Sequence, residues 1–285
     1  MKRIKFFVAG FLVWMVLTGQ AQTETPTDSS KKGFGISISP SVIRLTAKPG
    51  QSQRATIRVL NNSATSTRVV TEVSDVGNRV ENGMLVREFP PPGTLPFSCA
   101  KWTLLQDSEF LLTHDEYKDV TFLVSPPADR TGGFACVVFF RGIPVVDKPA
   151  AGQSTEAQAT IQIQPRLGGM IFYEIEGTIK RTGNLLSLAY EPPTAQAPLR
   201  ILYLFKNTGN ADILITGTFY ILDENKVLAA KGDLKSVRTF PGDEGSAETE
   251  WSGTLSPGKY KLVVTFELGP GAQEVIVKEL ELTIP

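Results

Sequence analysis

From Ile36 to the C-terminus the chain consists of short apolar runs separated by Gly, Pro, Asn and Asp, and almost no window has a helical period. Apolar residues recur at every second position in Val120–Val124 and at Ile57 and Val59. Such alternation is typical of strands buried on one face, and many short strands with frequent turns are typical of β-sandwiches. The pattern predicts an all-β fold with less than about 10% helix, well below the typical third.

Glycine and proline divide this pattern into two parts. Pro165 and Gly168-Gly169 follow the last strand of the first part, and we interpret them as a hinge. The chain after its N-terminus is longer than one common domain. We therefore expect two immunoglobulin-like β-sandwich domains in tandem, at residues 35–167 and 168–285. Pro40 cannot donate a ladder hydrogen bond, which predicts an edge or a switch between sheets at this point.

The N-terminus has the composition of an export signal. The chain begins with basic residues, and Phe6–Thr18 is an uncharged, largely apolar stretch of 13 residues. The next residues include small ones suited to cleavage and end at Ala21. A bilayer span needs about 20 apolar residues, so we predict a signal peptide at 1–21 that is cleaved before Gln22. The mature protein is then exported to the periplasm or the cell exterior without a membrane segment. Residues 22–34 form a leader that we predict to be disordered, because they offer little apolar surface to bury.

Charge excludes one class of partner. The chain has 29 basic and 29 acidic residues, and no basic cluster occurs after the signal peptide. Nucleic acid is therefore not an expected partner, because its recognition requires a concentrated positive surface.

Two cysteines, Cys99 and Cys136, are present in a chain that we predict to be exported. An even number in an oxidising compartment favours a disulfide, and the spacing matches no metal-site pattern. The alternative is a pair of buried free thiols that pack as small apolar groups. The sequence leaves both alternatives open.

No catalytic or cofactor motif is present. His114 is the one histidine and lies in a polar segment, which is typical of a solvated turn residue. Neither a Gly-x-Ser-x-Gly motif nor a phosphate-binding glycine loop occurs. We therefore expect a protein that is not an enzyme and needs no metal or cofactor.

Several short features together suggest relatives. They are the opening Ile38-Ser39-Pro40, a turn at Gly50, a strand that ends in Asn61-Asn62, Trp102, the segment from Asp129 to Phe134, and the run from Arg166 to Tyr173. This set resembles the periplasmic pilus-assembly chaperones and the wider PapD-like superfamily of two-domain proteins. The resemblance implies a divergent, non-enzymatic chaperone-like protein. Its expected partners are secreted or surface-assembled pilus-like or fimbria-like subunits, bound by β-strand augmentation.

The resemblance also implies where a partner binds. Pilus chaperones hold the subunit's terminal carboxylate with an Arg from the first strand and a Lys from the last strand of the first domain. Here Val42 stands at the first position with Arg44 two residues later, and Arg166 is the basic residue nearest the second position. Arg44 and Arg166 are therefore candidate anion ligands.

The predicted last strand of the first domain, Ala157–Gln164, is the candidate edge for an added strand. Ala159, Ile161 and Ile163 share one face of it, a version of the pilus-chaperone donor strand with smaller side chains. Edges that are neither short nor charged invite pairing. We therefore predict that this strand and Arg166 border the partner site.

Two other functions are compatible with the sequence. The protein could be a structural or adhesive cell-surface protein, itself a subunit of an envelope assembly. It could also be a carbohydrate-binding module that uses the aromatic residues Trp102, Tyr190, Tyr203, Tyr220, Trp251 and Tyr260, although core packing is the simpler role for these side chains. The oligomeric state does not follow from the sequence.

Overall fold

The structure is a computed structural model that describes residues 35–81, 84–145, 163–194, 196–270, 272 and 275–285. The predicted signal peptide and leader lie outside the described residues, as do positions 157–162 of the predicted edge strand.

The described residues form strands and one short 3-10 helix, Ala100–Trp102. The strands are β1 (Ile36–Ser39), β2 (Val42–Ala47), β3 (Gln53–Asn61), β4 (Thr67–Asp75), β5 (Gly77–Glu81), β6 (Met84–Glu88), β7 (Thr103–Leu105), β8 (Glu109–Leu112), β9 (Tyr117–Val124), β10 (Gly133–Pro144), β11 (Arg166–Ile175), β12 (Gly183–Glu191), β13 (Leu199–Asn207), β14 (Ile213–Leu222), β15 (Leu228–Asp233), β16 (Val237–Thr239), β17 (Glu244–Trp251), β18 (Gly258–Glu267) and β19 (Val275–Ile284). The all-β prediction is confirmed. Within these ranges, no helix has the length and apolar character needed to cross a membrane.

The first sandwich consists of a four-stranded sheet in the order β1-β3-β9-β7 and a five-stranded sheet in the order β2-β11-β10-β4-β8. The strands β5 and β6 form a separate hairpin. Pro40 lies between β1 and β2, which belong to different sheets. The predicted switch at Pro40 is therefore confirmed, and the missing N–H of proline suits a residue that leaves one ladder for another.

The core of the first sandwich lies between these sheets. Alternate residues of the facing strands fill it, among them Ile57 and Phe122 from the four-stranded sheet and Phe140 and Tyr173 from the five-stranded sheet. The two cysteines belong to the same core. The alternation seen in the sequence therefore identifies the buried face of the strands correctly.

The first sandwich extends to Ile175, past the boundary that we expected between residues 167 and 168. β11 pairs antiparallel with β10 from Arg141↔Arg166 to Gly133↔Glu174. Alternate residues of β11, including Tyr173 and Ile175, are fully buried in the first core. The expected boundary therefore falls inside β11, after its first two residues.

Gly168 and Gly169 lie inside β11 and not at a hinge. A Cβ on Gly169 would lie 2.5 Å from Cδ1 of Ile57, and one on Gly168 would lie 2.8 Å from Cγ2 of Val137. Both distances are shorter than real Cβ contacts, so an alanine at either position would require the neighbouring side chain to shift.

The second sandwich consists of a three-stranded sheet in the order β12-β13-β17 and a five-stranded sheet, in which β15-β14-β18-β19 follow in order and β16 also pairs with β14. Its core includes the fully buried Phe205, Phe219 and Phe266. The two sandwiches belong to one compact unit, Gly33–Pro285.

Candidate functional site

The first sandwich has an open sheet edge on β11. β2 pairs with β11 in parallel only from Val42↔Met170 to Ala47↔Ile175. The N–H of Met170 donates to the carbonyl of Ser41 at 2.9 Å, so it points to the β2 side. Alternate residues of a strand direct their N–H and C=O to the same side. Arg166 and Gly168 therefore point to a side on which no described strand pairs with them. We call Arg166–Gly169 the open edge.

The switch at Pro40 explains why this edge is open. The part of the chain that precedes β2 is β1, which pairs with β3 in the other sheet, from Ile36↔Asn61 to Ser39↔Arg58. Because β2 begins only at Val42, nothing in the described chain continues its ladder toward Arg166. Val42, at the start of this gap, is half exposed.

Arg166 lies at the open edge, and its charge already has a partner. Its Nε donates to Oε1 of Glu72 at 2.7 Å, and its guanidinium lies 3.3 Å from the centre of the Phe139 ring. These contacts fix the side chain against β4 and β10. A bound carboxylate would have to compete with Glu72 for this guanidinium.

Arg44, the other candidate anion ligand, lies at the interface between the two sandwiches. It donates to both carboxylate oxygens of Asp212, at 2.8 and 3.1 Å, and to Glu174 at 3.0 Å. The hydrogen bond to Asp212 raises the pKa of Arg44, although burial opposes it. Arg44 therefore connects the first sandwich to the second.

The structure does not bring Arg44 and Arg166 together. Arg44 is opposite Phe172 on β11, six residues from Arg166. At about 3.3 Å per residue this separation is about 20 Å, too far for one carboxylate to reach both. The two arginines therefore cannot form the joint carboxylate site that the resemblance implied.

The interface around Arg44 is rich in ion pairs. Asp212, of which 4% is exposed, also accepts from Arg238, and Arg181 donates to Glu174. The ring of Phe172 lies 4.4 Å from the guanidinium of Arg44 and 4.8 Å from that of Arg238. Burial lowers the pKa of Arg238, and the charge of Asp212 opposes this shift. Sequence reasoning missed Asp212, Glu174 and Arg238, because the partners are far apart in the chain.

A second part of the interface is packed by small and aromatic groups. The N–H of Gly133 donates to the carbonyl of Asn210 at 2.8 Å. A Cβ on Gly133 would lie 2.7 Å from the Cβ of Ala211. The rings of Phe97 and Phe240 stack with centres 5.1 Å apart and planes 3° apart. Groups of both sandwiches therefore pack closely against each other in this region.

The predicted edge residues cannot all be located. Ala159 and Ile161 lie outside the described residues, and so does most of their predicted strand. Ile163 is described, is largely exposed and precedes β11. The role of this segment stays a prediction.

Cys99 and Cys136 form a disulfide, with Cα atoms 5.3 Å apart and both residues fully buried. The structure therefore contains the bridge and not two free thiols. It connects the start of the 3-10 helix to β10.

The described part of the chain shows no cluster of three or more His, Cys, Asp or Glu side chains that could hold a metal ion. His114 is exposed, with Nδ1 2.7 Å from the carbonyl oxygen of Ser63, as expected for a turn residue.

Five of the six aromatic residues proposed for carbohydrate stacking are divided between the two cores, and the sixth, Tyr220 of β14, is exposed. Trp102 packs against the first core, while Tyr190, Trp251 and Tyr260 pack against the second. Tyr203 is buried in the second core, where burial raises its pKa to about 12. These positions favour the packing role over a shared binding platform.

The fold defines a class: a two-domain, all-β protein with tandem β-sandwiches. No family model and no curated protein matches the chain. It is similar to the solved structure of the class 5 fimbriae chaperone CfaA, with 13% identity and a TM-score of 0.46 over 88% of this chain and all of that one. It is also similar to a chain of a chaperone–tip adhesin complex of CFA/I fimbriae biogenesis, with 14% identity and a TM-score of 0.44 over 86% and 98% of the chains.

A third similar structure is a chain of the CsuC–CsuE chaperone–tip subunit pre-assembly complex from the archaic chaperone-usher Csu pili of Acinetobacter baumannii. It has 9% identity and a TM-score of 0.43 over 86% of this chain and 97% of that one.

Proposed function

We propose that the protein is an exported, non-enzymatic chaperone-like protein that binds secreted or surface-assembled protein subunits by β-strand augmentation at the open edge of β11. The observation that carries the proposal is the unpaired side of Arg166–Gly169, which the switch at Pro40 creates. The class of partner follows from the sequence resemblance to pilus-assembly chaperones.

The chemistry of the open edge supports this function. Arg166 and Gly168 each offer one N–H and one C=O to an added strand, and backbone groups supply the affinity in this mode of recognition. The charge of Arg166 is paired with Glu72, so no free charge opposes an incoming strand. Glycine at 168 leaves no side chain on the outer face at that position. An extended segment of a subunit fits these conditions.

Two substitutions at one position test the role of the backbone. Arg166→Ala and Arg166→Pro both remove the contacts with Glu72 and Phe139, but only proline removes the N–H that points to the open side. Proline is tolerated at the first residue of a strand, so both variants should fold. We expect Arg166→Pro to bind exported subunits about tenfold more weakly than Arg166→Ala, the effect of one lost hydrogen bond.

The measurement is capture of partner proteins from the exported fraction, followed by titration of the captured subunit by calorimetry. Circular dichroism of both variants provides the control for folding. Equal affinity of the alanine and proline variants would show that the partner does not pair with this edge.

A further inference from the structure

The segment Phe97–Cys99 is attached to β10 by three contacts. The N–H of Ala135 donates to the carbonyl of Phe97 at 2.8 Å, and the N–H of Cys99 donates to the carbonyl of Ala135 at 3.2 Å. The third contact is the disulfide from Cys99 to Cys136. The segment therefore forms a very short addition to the five-stranded sheet, next to the point where β4 ends.

The two sides of the disulfide are held unequally. Cys136 lies in β10, which pairs with β11 on one side and with β4 on the other. Cys99 follows a single parallel bridge, Ser98↔Ala135. Ser98 also donates to the buried carboxylate of Asp75, which accepts from two further N–H groups of the loop at 93–95. Because β10 is the more firmly held side, the disulfide fixes the segment relative to β10.

The side chain of Phe97 carries this constraint to the second sandwich. Phe97 stacks on Phe240, which is 1% exposed and lies just after β16. Phe240 packs in an apolar cluster whose other members, such as Val137 and Phe172, come from the first sandwich. The N–H of Phe240 donates to Asp243 at 2.8 Å, and Asp243 also accepts from Asn78 of β5 at 2.6 Å.

We propose that the Cys99–Cys136 disulfide holds the second sandwich in its position on the first, by fixing Phe97 against Phe240. The disulfide ties Cys99 covalently to β10, whereas without this bond the segment is left with its two backbone hydrogen bonds to β10. The interior is close-packed, so the less firmly held side moves. That side is Phe97–Cys99, and Phe97 is displaced with it. This role is separate from the open edge of β11 and does not depend on the proposed function.

Hydrogen exchange in the second sandwich tests the proposal. The reporter is residues 237–243, which lie about 100 residues after Cys136 in the sequence and form no bond with either cysteine. We expect Cys99→Ala/Cys136→Ala and Phe97→Ala each to speed exchange there by about three- to tenfold, the value of one aromatic contact. Combining all three substitutions should give no further increase, because the disulfide acts through Phe97.

Two controls separate this effect from general loss of stability. Phe89→Ala removes a ring that packs on Phe139, on the same outer face of the five-stranded sheet, and it should leave the reporter unchanged. Exchange in β18, at the centre of the second core, should stay at the wild-type rate in every variant. The proposal would be overturned if the reporter in the cysteine variant exchanged at the wild-type rate. It would also be overturned if the increases in exchange rate multiplied in the combined variant.

A second measurement keeps the proposal testable if the cysteine variant does not fold. Coupling between two sites is reciprocal, so loss of the Phe240 ring should loosen the segment that covers the disulfide. In Phe240→Ala, a dithiol reagent should reduce the disulfide about three- to tenfold faster than in the wild type. The reagent supplies two electrons and two protons to the protein disulfide, which becomes two thiols. The oxidised reagent forms a cyclic disulfide of its own. An unchanged rate of reduction would contradict the coupling.

Discussion

The two sandwiches differ in how their first strand is used. In the first sandwich the strand is divided at Pro40, so that β1 completes one sheet and β2 completes the other. In the second sandwich β12 is one strand that pairs only with β13. As a result, no described strand pairs with the outer edge of β19, whereas β2 covers the outer edge of β11 from Met170 to Ile175.

The exposed edges are protected differently. β19 offers ten residues, and Lys278, Glu279 and Glu281 place charges along its length. Charged side chains along an exposed edge disfavour its pairing with a second strand. The open edge of β11 is shorter, and its one charge is already paired with Glu72. The comparison indicates that the long edge is protected against pairing and the short edge is available for it.

The largest expected effect concerns the contact between the sandwiches. Asp212→Ala removes a nearly buried carboxylate that accepts from Arg44 and Arg238. It leaves two guanidinium groups without their main partner, so we expect the free energy of unfolding to fall by about 3–5 kcal/mol. Urea denaturation measures this change.

Asp119→Ala provides the matched control, because its pairing with Arg58 is largely exposed. Exposed pairs contribute little, so this variant should lose less than about 1 kcal/mol. Similar losses in the two variants would mean that the Asp212 cluster does not connect the sandwiches energetically.

A second prediction compares equivalent asparagines. Asn61 ends β3 and Asn207 ends β13, and both are fully buried. The amide of Asn61 donates to three carbonyls and accepts from Ser63 and Thr67, whereas the amide of Asn207 donates to two carbonyls and accepts from one N–H. We expect Asn61→Ala to cost about 3 kcal/mol and Asn207→Ala about 2 kcal/mol.

Thermal unfolding of the two alanine variants measures these costs. If the Asn207→Ala variant were less stable than the Asn61→Ala variant, the number of hydrogen bonds would not explain the difference.

A third prediction concerns the buried tyrosine of the second core. The hydroxyl of Tyr203 donates to the carbonyl of Lys235 at 2.8 Å, and burial raises its pKa to about 12. Tyr203→Phe should cost about 1 kcal/mol at neutral pH, the value of one hydrogen bond. A raised pKa means that the fold favours the neutral phenol, so the stability due to this group is complete below pH 10 and is lost as the pH rises through 12.

The stability difference between wild type and Tyr203→Phe should therefore shrink between pH 10 and 12. Titration of the tyrosines by phenolate absorbance should show that the variant has one fewer tyrosine that ionises at high pH. A difference in stability that stays constant over this range would be inconsistent with the raised pKa.

The smallest effect on stability is expected at the edge of β19. Replacing Lys278, Glu279 and Glu281 with valine should change the free energy of unfolding by less than about 0.5 kcal/mol for each substitution, since exposed surface substitutions rarely do more. It should nevertheless make the protein self-associate, which light scattering would detect. The same change at Lys261 and Glu267 of β18, two positions paired on both sides, should leave the protein monomeric if the free edge causes the association.

The sequence predicted the strands well because each strand carries its own signal. The alternation at Ile57 and Val59 identifies a buried face without reference to any partner. The signal at Pro40 was equally local, since one missing N–H predicts an edge or a switch between sheets, and the structure shows the switch. The disulfide was left as one of two alternatives, because pairing depends on a Cα separation that the sequence does not contain.

The errors and omissions come from tertiary contacts. Gly168-Gly169 has the same local appearance in a hinge as in a strand that packs closely against Ile57. Arg44 was noticed for its charge, but its partner Asp212 lies 168 residues away. Ion pairs at that separation leave no periodic pattern, and only the packing of the two sandwiches brings the groups together.

The short length of the open edge limits how tightly it can hold a partner. Arg166 and Gly168 together supply two donors and two acceptors, and a net value of about 1 kcal/mol for each hydrogen bond gives about 4 kcal/mol. Association also costs translational and rotational freedom, so the dissociation constant from these groups alone is no lower than about 1 mM. A subunit bound through these groups alone would dissociate quickly. A long-lived complex therefore requires additional contacts, and those contacts, not the edge, would determine how long a subunit stays bound.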